Sequence, residues 1–226
     1  MCGRFTFISP DRVIEKRFSA KVAEPLQRHY NAAPAQKLPL ITSERPQDIR
    51  LGVWGLRPRW LSQDKRADGF INARAETLTE KPSFRMSFRQ RRCLIIADSF
   101  FEWRRGASGE KQPYLIALKD DAPFAFAGLW ELSKTKAGNL IPSFAIITTK
   151  ANKLVASIHD RMPVILPVEA EKTWLDNEAK LNGLFELLKP YPERQMHLFP
   201  VSRLVNAVSV DTPEVIKPIE EDSRLV

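Results

Sequence analysis

Four short stretches set chemically able side chains among apolar or small neighbours. They are "MCGRF" at the start, "FINARAET" at 70–77, "FFEW" at 100–103 and "SIHDRMP" at 157–163. Cys2 offers a thiol one residue behind Met1. Glu102 lies among Phe100, Phe101 and Trp103. Burying an ionised carboxylate is costly, so such a glutamate is paired or has a raised pKa. A raised pKa suits general acid/base work near neutral pH. An exposed or ion-paired strand glutamate is the plainer alternative. His159, ahead of Asp160 and Arg161, is either a proton donor or a histidine held by hydrogen bonds. Asn72 either orients a substrate with its amide or caps a turn. Cys93 opens the apolar run "CLIIA" and reads as a buried core thiol.

These groups need a scaffold, and the sequence supplies many short strands. "KLPLITS" and "DIRLGVWG" read as strands joined by a turn around "ERPQ". "RCLIIAD", "SFFEW", "PYLIAL", "FAFAGLW", "SFAIITT", "MPVIL" and "QMHLFPVS" add further strands. Alternation along "SFFEW" puts Phe100 and Glu102 on one face, Phe101 and Trp103 on the other. "ISPDRVIEKRF" predicts a helix with Ser9 as N-cap and Pro10 in the first turn. "FRMSFRQRR", "KANKLVASI", "PVEAEKTWLD" and "AKLNGLFELL" predict four more helices, and "YNAAPAQ" a loop. Few regular helix crossovers separate the strands, which argues against a doubly wound parallel sheet. The expected class is α+β: curved antiparallel β-sheets with helices at the periphery. No composition shift marks a boundary, so one domain over residues 2–226 is expected, with a loose charged tail from about residue 212.

The chain has 226 residues, enough for a sizeable core. With 35 Lys+Arg against 27 Asp+Glu the net charge is +8. That balance fits either a solvated basic surface or a polyanionic partner. The cations cluster beside aromatics in "RPRW", "FRMSFRQRR" and "EWRRG", a pattern that suits single-stranded nucleic acid. Two cysteines and three histidines (His29, His159, His197) lack ligand spacing, so no metal and no cofactor are expected. There is no Gly-rich phosphate loop, no apolar run of membrane-span length and no signal peptide. A cytoplasmic monomer that does not engage membranes is the expectation.

Taken together, "MCGRF", "YNAAP", "INARAET", "DSFFEW", "KQPY" and "IHDRMPVIL" occur in one order. The chain thereby resembles the SOS-response-associated peptidase family, the abasic-site processing proteins, from residue 2 to about 166. A weaker continuation runs to "PVSRLVN". The resemblance implies a barrel-like core and a sensor that crosslinks to abasic sites in single-stranded DNA, protecting the lesion during the DNA damage response. It places Cys2 as the nucleophile, and Asn72, Glu102 and His159 at the other active-site positions. Arg4, Arg74 and Arg161 match backbone-contacting positions; Pro34, Trp60, Trp103 and Thr148 match DNA-contacting or wedge-like ones. Where relatives carry a second tryptophan after Trp60, this chain has Leu61, and Arg57 and Arg59 can supply phosphate contacts instead.

The implied chemistry needs these residue types. The ring-opened abasic sugar is an aldehyde. An N-terminal cysteine joins an amine and a thiol on adjacent carbons, so it can form a Schiff base and then close a thiazolidine. Met1 must first be removed, by the protein itself or by a processing peptidase. Three other readings compete: a cysteine peptidase using Cys2 with His159, a non-catalytic single-strand binder, and a lyase side reaction by β-elimination.

Overall fold

The computed structural model describes residues 2–58, 69–106, 109–134, 138 and 140–220. The first part of the chain forms β1 (Phe5–Phe7), α1 (Asp11–Phe18), β2 (Lys21–Val22) and β3 (His29–Ala32). β4 (Lys37–Thr42), β5 (Arg45–Trp54), β6 (Asn72–Arg74) and α2 (Arg85–Gln90) follow. The middle is strand-rich: β7 (Arg92–Ala97), β8 (Ser99–Arg105), β9 (Lys111–Leu118), β10 (Phe124–Lys134) and β11 (Leu140–Lys150). Then come α3 (Lys153–Ala156), β12 (Arg161–Pro163), β13 (Ile165–Leu166), α4 (Val168–Leu175), α5 (Leu181–Glu186) and β14 (Met196–Pro200).

The expected α+β class with curved sheets is the one observed. One sheet runs in the order β14-β9-β8-β1-β3. In the other, β11-β10-β7-β4-β5 closes on itself because β5 also pairs with β11. That closing pair, Ser143↔Val53 and Phe144↔Trp54, is parallel, so the five-stranded barrel is mixed. Closure removes the exposed sheet edges that an open sheet would present. Apolar strands with no polar face, such as "RCLIIA" and "FAFAGLW", are what a sheet covered on both sides demands. Aromatics fill the core. Phe5 lies 5.1 Å from Trp54 and 5.7 Å from Phe126, ring centroid to centroid. Cys93 is buried opposite Gly128, where an added Cβ would lie 2.8 Å from its Sγ.

Several local expectations shift. The first helix is capped by Pro10, not Ser9, because Asp98 takes the Ile8 N–H at 2.6 Å, the Ser9 N–H at 3.1 Å and the Ser9 hydroxyl. The β4–β5 turn lies at Ser43–Glu44, ahead of "RPQ". Pro46 is tolerated within β5 because the pairing is irregular between Leu40 and Thr42. The first three residues of "YNAAPAQ" belong to strand β3. "MPVIL" is split at Val164, whose N–H bonds Ile147 O at 2.9 Å. Part of the charged tail packs against the fold. Pro213–Ile216 form a 3-10 turn with Val215 buried, and Ile219 N–H donates to Pro200 O at 3.0 Å.

Arg92 is fully buried and spends its guanidinium on backbone carbonyls. It donates to Phe88 O (2.8 Å), Arg89 O (2.7 Å), Trp174 O (2.7 Å) and Asp176 O (2.6 Å). One cation therefore ties the end of α2 to the end of α4, where partial negative charge collects. Arg92→Met is expected to lower unfolding free energy by about 3 kcal/mol in urea titration, because the carbonyls lose charge-assisted bonds. An unchanged midpoint would remove Arg92 from this role.

Candidate functional site

The sequence of β1 and its lead-in brings Cys2 into the core. Phe5 and Phe7 are buried, which draws the residues before them against β8. Cys2 is itself fully buried, and its Sγ–H points to Arg4 O at 3.8 Å. Asn72 stands at the start of β6, held parallel to β11 opposite Ile146. The residue before it is pinned by Trp54 Nε1–H, which donates to Ile71 O at 2.9 Å. Asn72 Nδ2 then donates to Cys2 O at 2.8 Å. Its Oδ1 is buried and has no hydrogen-bond partner among the described residues.

Glu102 is 2% exposed on β8. The alternation read from "SFFEW" is present. Phe100 joins the main core, while Phe101 and Trp103 face a second cluster with Leu115, Val201, Val205 and Val215. Burial raises the Glu102 carboxyl above the ordinary carboxylate range, with the charge of His159 acting the other way. Burial also pushes the Cys2 thiol far above the usual thiol range, and the negative charge of Glu102 adds to the rise. The thiol is therefore protonated at neutral pH.

His159 follows α3 and is partly exposed. Its Nδ1 lies 3.0 Å from the Arg161 N–H and 3.0 Å from Asp160 Oδ1. These contacts need opposite protonation states at Nδ1. A backbone N–H can only donate, whereas the exposed Asp160 carboxylate is free to turn to water, so the amide contact decides. Nδ1 is then the acceptor, and in the neutral ring Nε2 carries the proton.

Arg4, Glu102, Trp103, Arg105, Lys111, His159 and Asn206 line one cleft of about 430 Å³. A larger cleft of about 800 Å³ lies at α1 and α4 around the Arg17–Glu171 pair, and none of the sequence-predicted site residues lines it. Arg4 is fixed in the first cleft by Asn31 Oδ1 (2.7 Å), Val205 O (2.6 Å) and Asn206 O (3.2 Å). Its acceptors are neutral, so it keeps a full positive charge to offer. Asn31 is the hub behind it. Its Nδ2 also bonds Val210 O at 2.8 Å, and Asp211 takes its N–H at 2.8 Å. Trp103 Nε1–H donates to Asn206 Oδ1 at 2.8 Å, which sets the plane of the indole.

The remaining sequence-predicted residues stand apart. Arg74 is exposed at the end of β6. Arg161 is 9% exposed and committed: it grips Glu76 with bonds of 2.6 and 3.0 Å and donates to Thr148 O at 2.7 Å. Thr148 is fully buried, and its hydroxyl meets Arg161 at 3.3 Å. This pair fixes the turn after Arg74. Pro34 is half-buried in the turn after β3 and does not line the cleft. Trp60, Leu61 and Arg59 lie outside the described residues. Sequence reasoning passed over Asn31, Asn206, Arg105 and Lys111, although "YNAAP", "PVSRLVN", "EWRRG" and "KQPY" contain them.

The family model described as SOS response associated peptidase, SRAP, matches residues 1–208. The chain belongs to the SRAP family. It is 45% identical over 223 residues to the abasic site processing protein YoqW of Bacillus subtilis (strain 168), covering 96% of this chain and 99% of that one. It is 30% identical over 233 residues to the abasic site processing protein YedK of Escherichia coli (strain K12), covering 97% and 100%. To the abasic site processing protein HMCES of Xenopus tropicalis it is 32% identical over 230 residues, covering 87% and 68%. A crystal structure of a protein from Bacteroides thetaiotaomicron superposes with TM-score 0.87 at 28% identity, over 96% of this chain and all of that one. Among the described residues of this SRAP protein, no helix is long and apolar enough to cross a membrane.

Proposed function

We propose that this SRAP protein recognises abasic sites in single-stranded DNA and crosslinks to them through Cys2 once Met1 has been removed. Removal frees an α-amine, whose ordinary pKa of about 7.7–8.0 leaves much of it neutral near pH 7–8. The ring-opened sugar supplies an aldehyde. His159 Nε2–H donates a hydrogen bond to the sugar ring oxygen and so favours opening, in which the C1 hydroxyl proton ends on the ring oxygen as the C1 carbonyl forms. The amine adds to C1, and Glu102, whose carboxyl burial raises above the ordinary range, gives a proton to the departing hydroxyl as the protonated Schiff base forms. The thiol then adds to the same carbon and its proton returns to the Glu102 carboxylate, while the ring nitrogen keeps its one hydrogen. Aldehyde and aminothiol become thiazolidine and one water. Asn72 holds the Cys2 carbonyl through Nδ2 and leaves Oδ1 to accept a hydrogen bond from the adduct.

One observation carries this reading. The first residue with both nucleophiles is bonded to Asn72 and lies within the field of a buried carboxylate that shares a cleft with a histidine. The relatives named above as abasic site processing proteins support it. The cysteine-peptidase reading needs a thiolate, and here burial and Glu102 both hold the proton on sulfur. It survives in one form: a single self-cleavage that releases Met1. A purely non-covalent binder leaves the buried Glu102 without a purpose. The Schiff base also permits β-elimination of the 3′ phosphate as a slow lyase branch.

The test is a denaturing gel of the processed protein with single-stranded DNA carrying one abasic site. A heat-stable shifted band is expected, absent with intact DNA. No band from protein whose N-terminus is fully processed would overturn the proposal.

A further inference from the structure

Strand β1 pairs with β8 only as far as Phe5↔Phe100, after which the Phe101 N–H donates to Arg4 O at 3.0 Å. The strand β8 continues to Arg105 in a hairpin with β9. The cleft opens along this extension, with Glu102 at its inner part and Arg105 at the end of the strand.

Across the hairpin, Arg105 is directly opposite Lys111. Opposed residues of an antiparallel pair project from the same face, with Cβ atoms about 4.5–5.5 Å apart, and like charges there repel. Both side chains are exposed and both line the cleft. Among the described residues neither is drawn into an ion pair. Glu110, beside Lys111, is occupied by Arg203 Nη2 at 2.8 Å. The intervening Arg104 is held over the Tyr114 ring, 5.2 Å from its centroid. The hairpin therefore carries an uncompensated cation pair at the mouth of a cleft whose third cation, Arg4, is bonded only to neutral oxygens. An anion between Arg105 and Lys111 relieves their repulsion.

We propose that Arg105 and Lys111 form a phosphate-binding site that grips the DNA backbone beside the abasic residue. The choice of ligand rests on the function proposed above; the site itself rests on the register and the charges. The guanidinium fork suits two phosphate oxygens and the lysine ammonium acts as a point charge. The grip fixes the path of the strand past Glu102 and His159 without touching the reacting carbon.

The experiment uses single-stranded DNA with a tetrahydrofuran abasic analogue, which has no aldehyde and cannot crosslink. Binding is read by fluorescence anisotropy across a salt series. The Arg105→Ala/Lys111→Ala double variant is expected to bind at least tenfold more weakly at low salt. Its plot of log K against log salt should be shallower by about 0.7 for each phosphate the variant no longer neutralises. Lys111→Arg should retain both the affinity and the slope. Unchanged affinity, or weaker binding at an unchanged slope, would overturn the phosphate site. Failure of the crosslinking reading shows separately, as parent protein that binds the analogue but forms no adduct with abasic DNA.

Discussion

Cys2→Ser, processed so that residue 2 is the N-terminus, is expected to lose the heat-stable adduct completely while keeping the first half of the reaction. Serine retains the α-amine, so the Schiff base still forms. Its hydroxyl is a far poorer nucleophile than the thiol, and the ring that locks the adduct does not close durably. Borohydride added during incubation should therefore trap a covalent band from Cys2→Ser, whereas boiling without it should leave none. Cys93→Ser should leave the adduct unchanged, because Cys93 is buried in the barrel against Gly128. Heat-stable adduct from Cys2→Ser would assign the bond to another residue.

Glu102→Gln is expected to slow crosslinking roughly 10²–10⁴-fold, the range of a lost general acid/base. The same change should make the protein more stable near neutral pH. The Glu102 carboxyl titrates higher in the folded chain than in the unfolded one, because burial penalises its charge. Between those two pKa values the folded state binds more protons, so stability falls as pH rises through that window. The neutral glutamine escapes this loss. The melting temperature of Glu102→Gln should thus match that of the parent below about pH 4 and exceed it by a margin that grows as pH rises past the unfolded-state value and levels off once the folded-state carboxyl ionises. Slower chemistry without a stability gain would mean that Glu102 is ionised and compensated in the folded state. A stability gain with unchanged crosslinking would remove it from proton transfer.

Local patterns announced most of the strands, since a barrel wall covered on both faces needs near-continuous apolar runs. "SFFEW" gave both the strand and its two faces, because a two-residue period survives into three dimensions. The barrel itself was not legible from such patterns. Its closure depends on a two-pair parallel contact, Ser143↔Val53 and Phe144↔Trp54, between strands almost a hundred residues apart, and no local pattern encodes that pairing. The site was partly legible. Cys2, Asn72, Glu102 and His159 stood out as polar residues in apolar settings, and they converge. The pairing of Arg161, a position matched to backbone contacts, with Glu76 in the turn after β6 was not legible, because the two lie 85 residues apart. Asn31 looked like a loop residue. Its role depends on a segment some 175 residues later, whose carbonyls it gathers beneath Arg4.

The central claim is a thiazolidine at Cys2, and intact mass analysis of the purified adduct tests it most directly. The expected mass is that of the chain beginning at Cys2 plus the abasic oligonucleotide, minus one water. Borohydride should not raise it by two hydrogens, and an alkylating agent under denaturing conditions should add one group, at Cys93 alone. An adduct that takes up two hydrogens and two alkyl groups would be an open Schiff base, and a chain that still carries Met1 in the adduct would contradict the account outright.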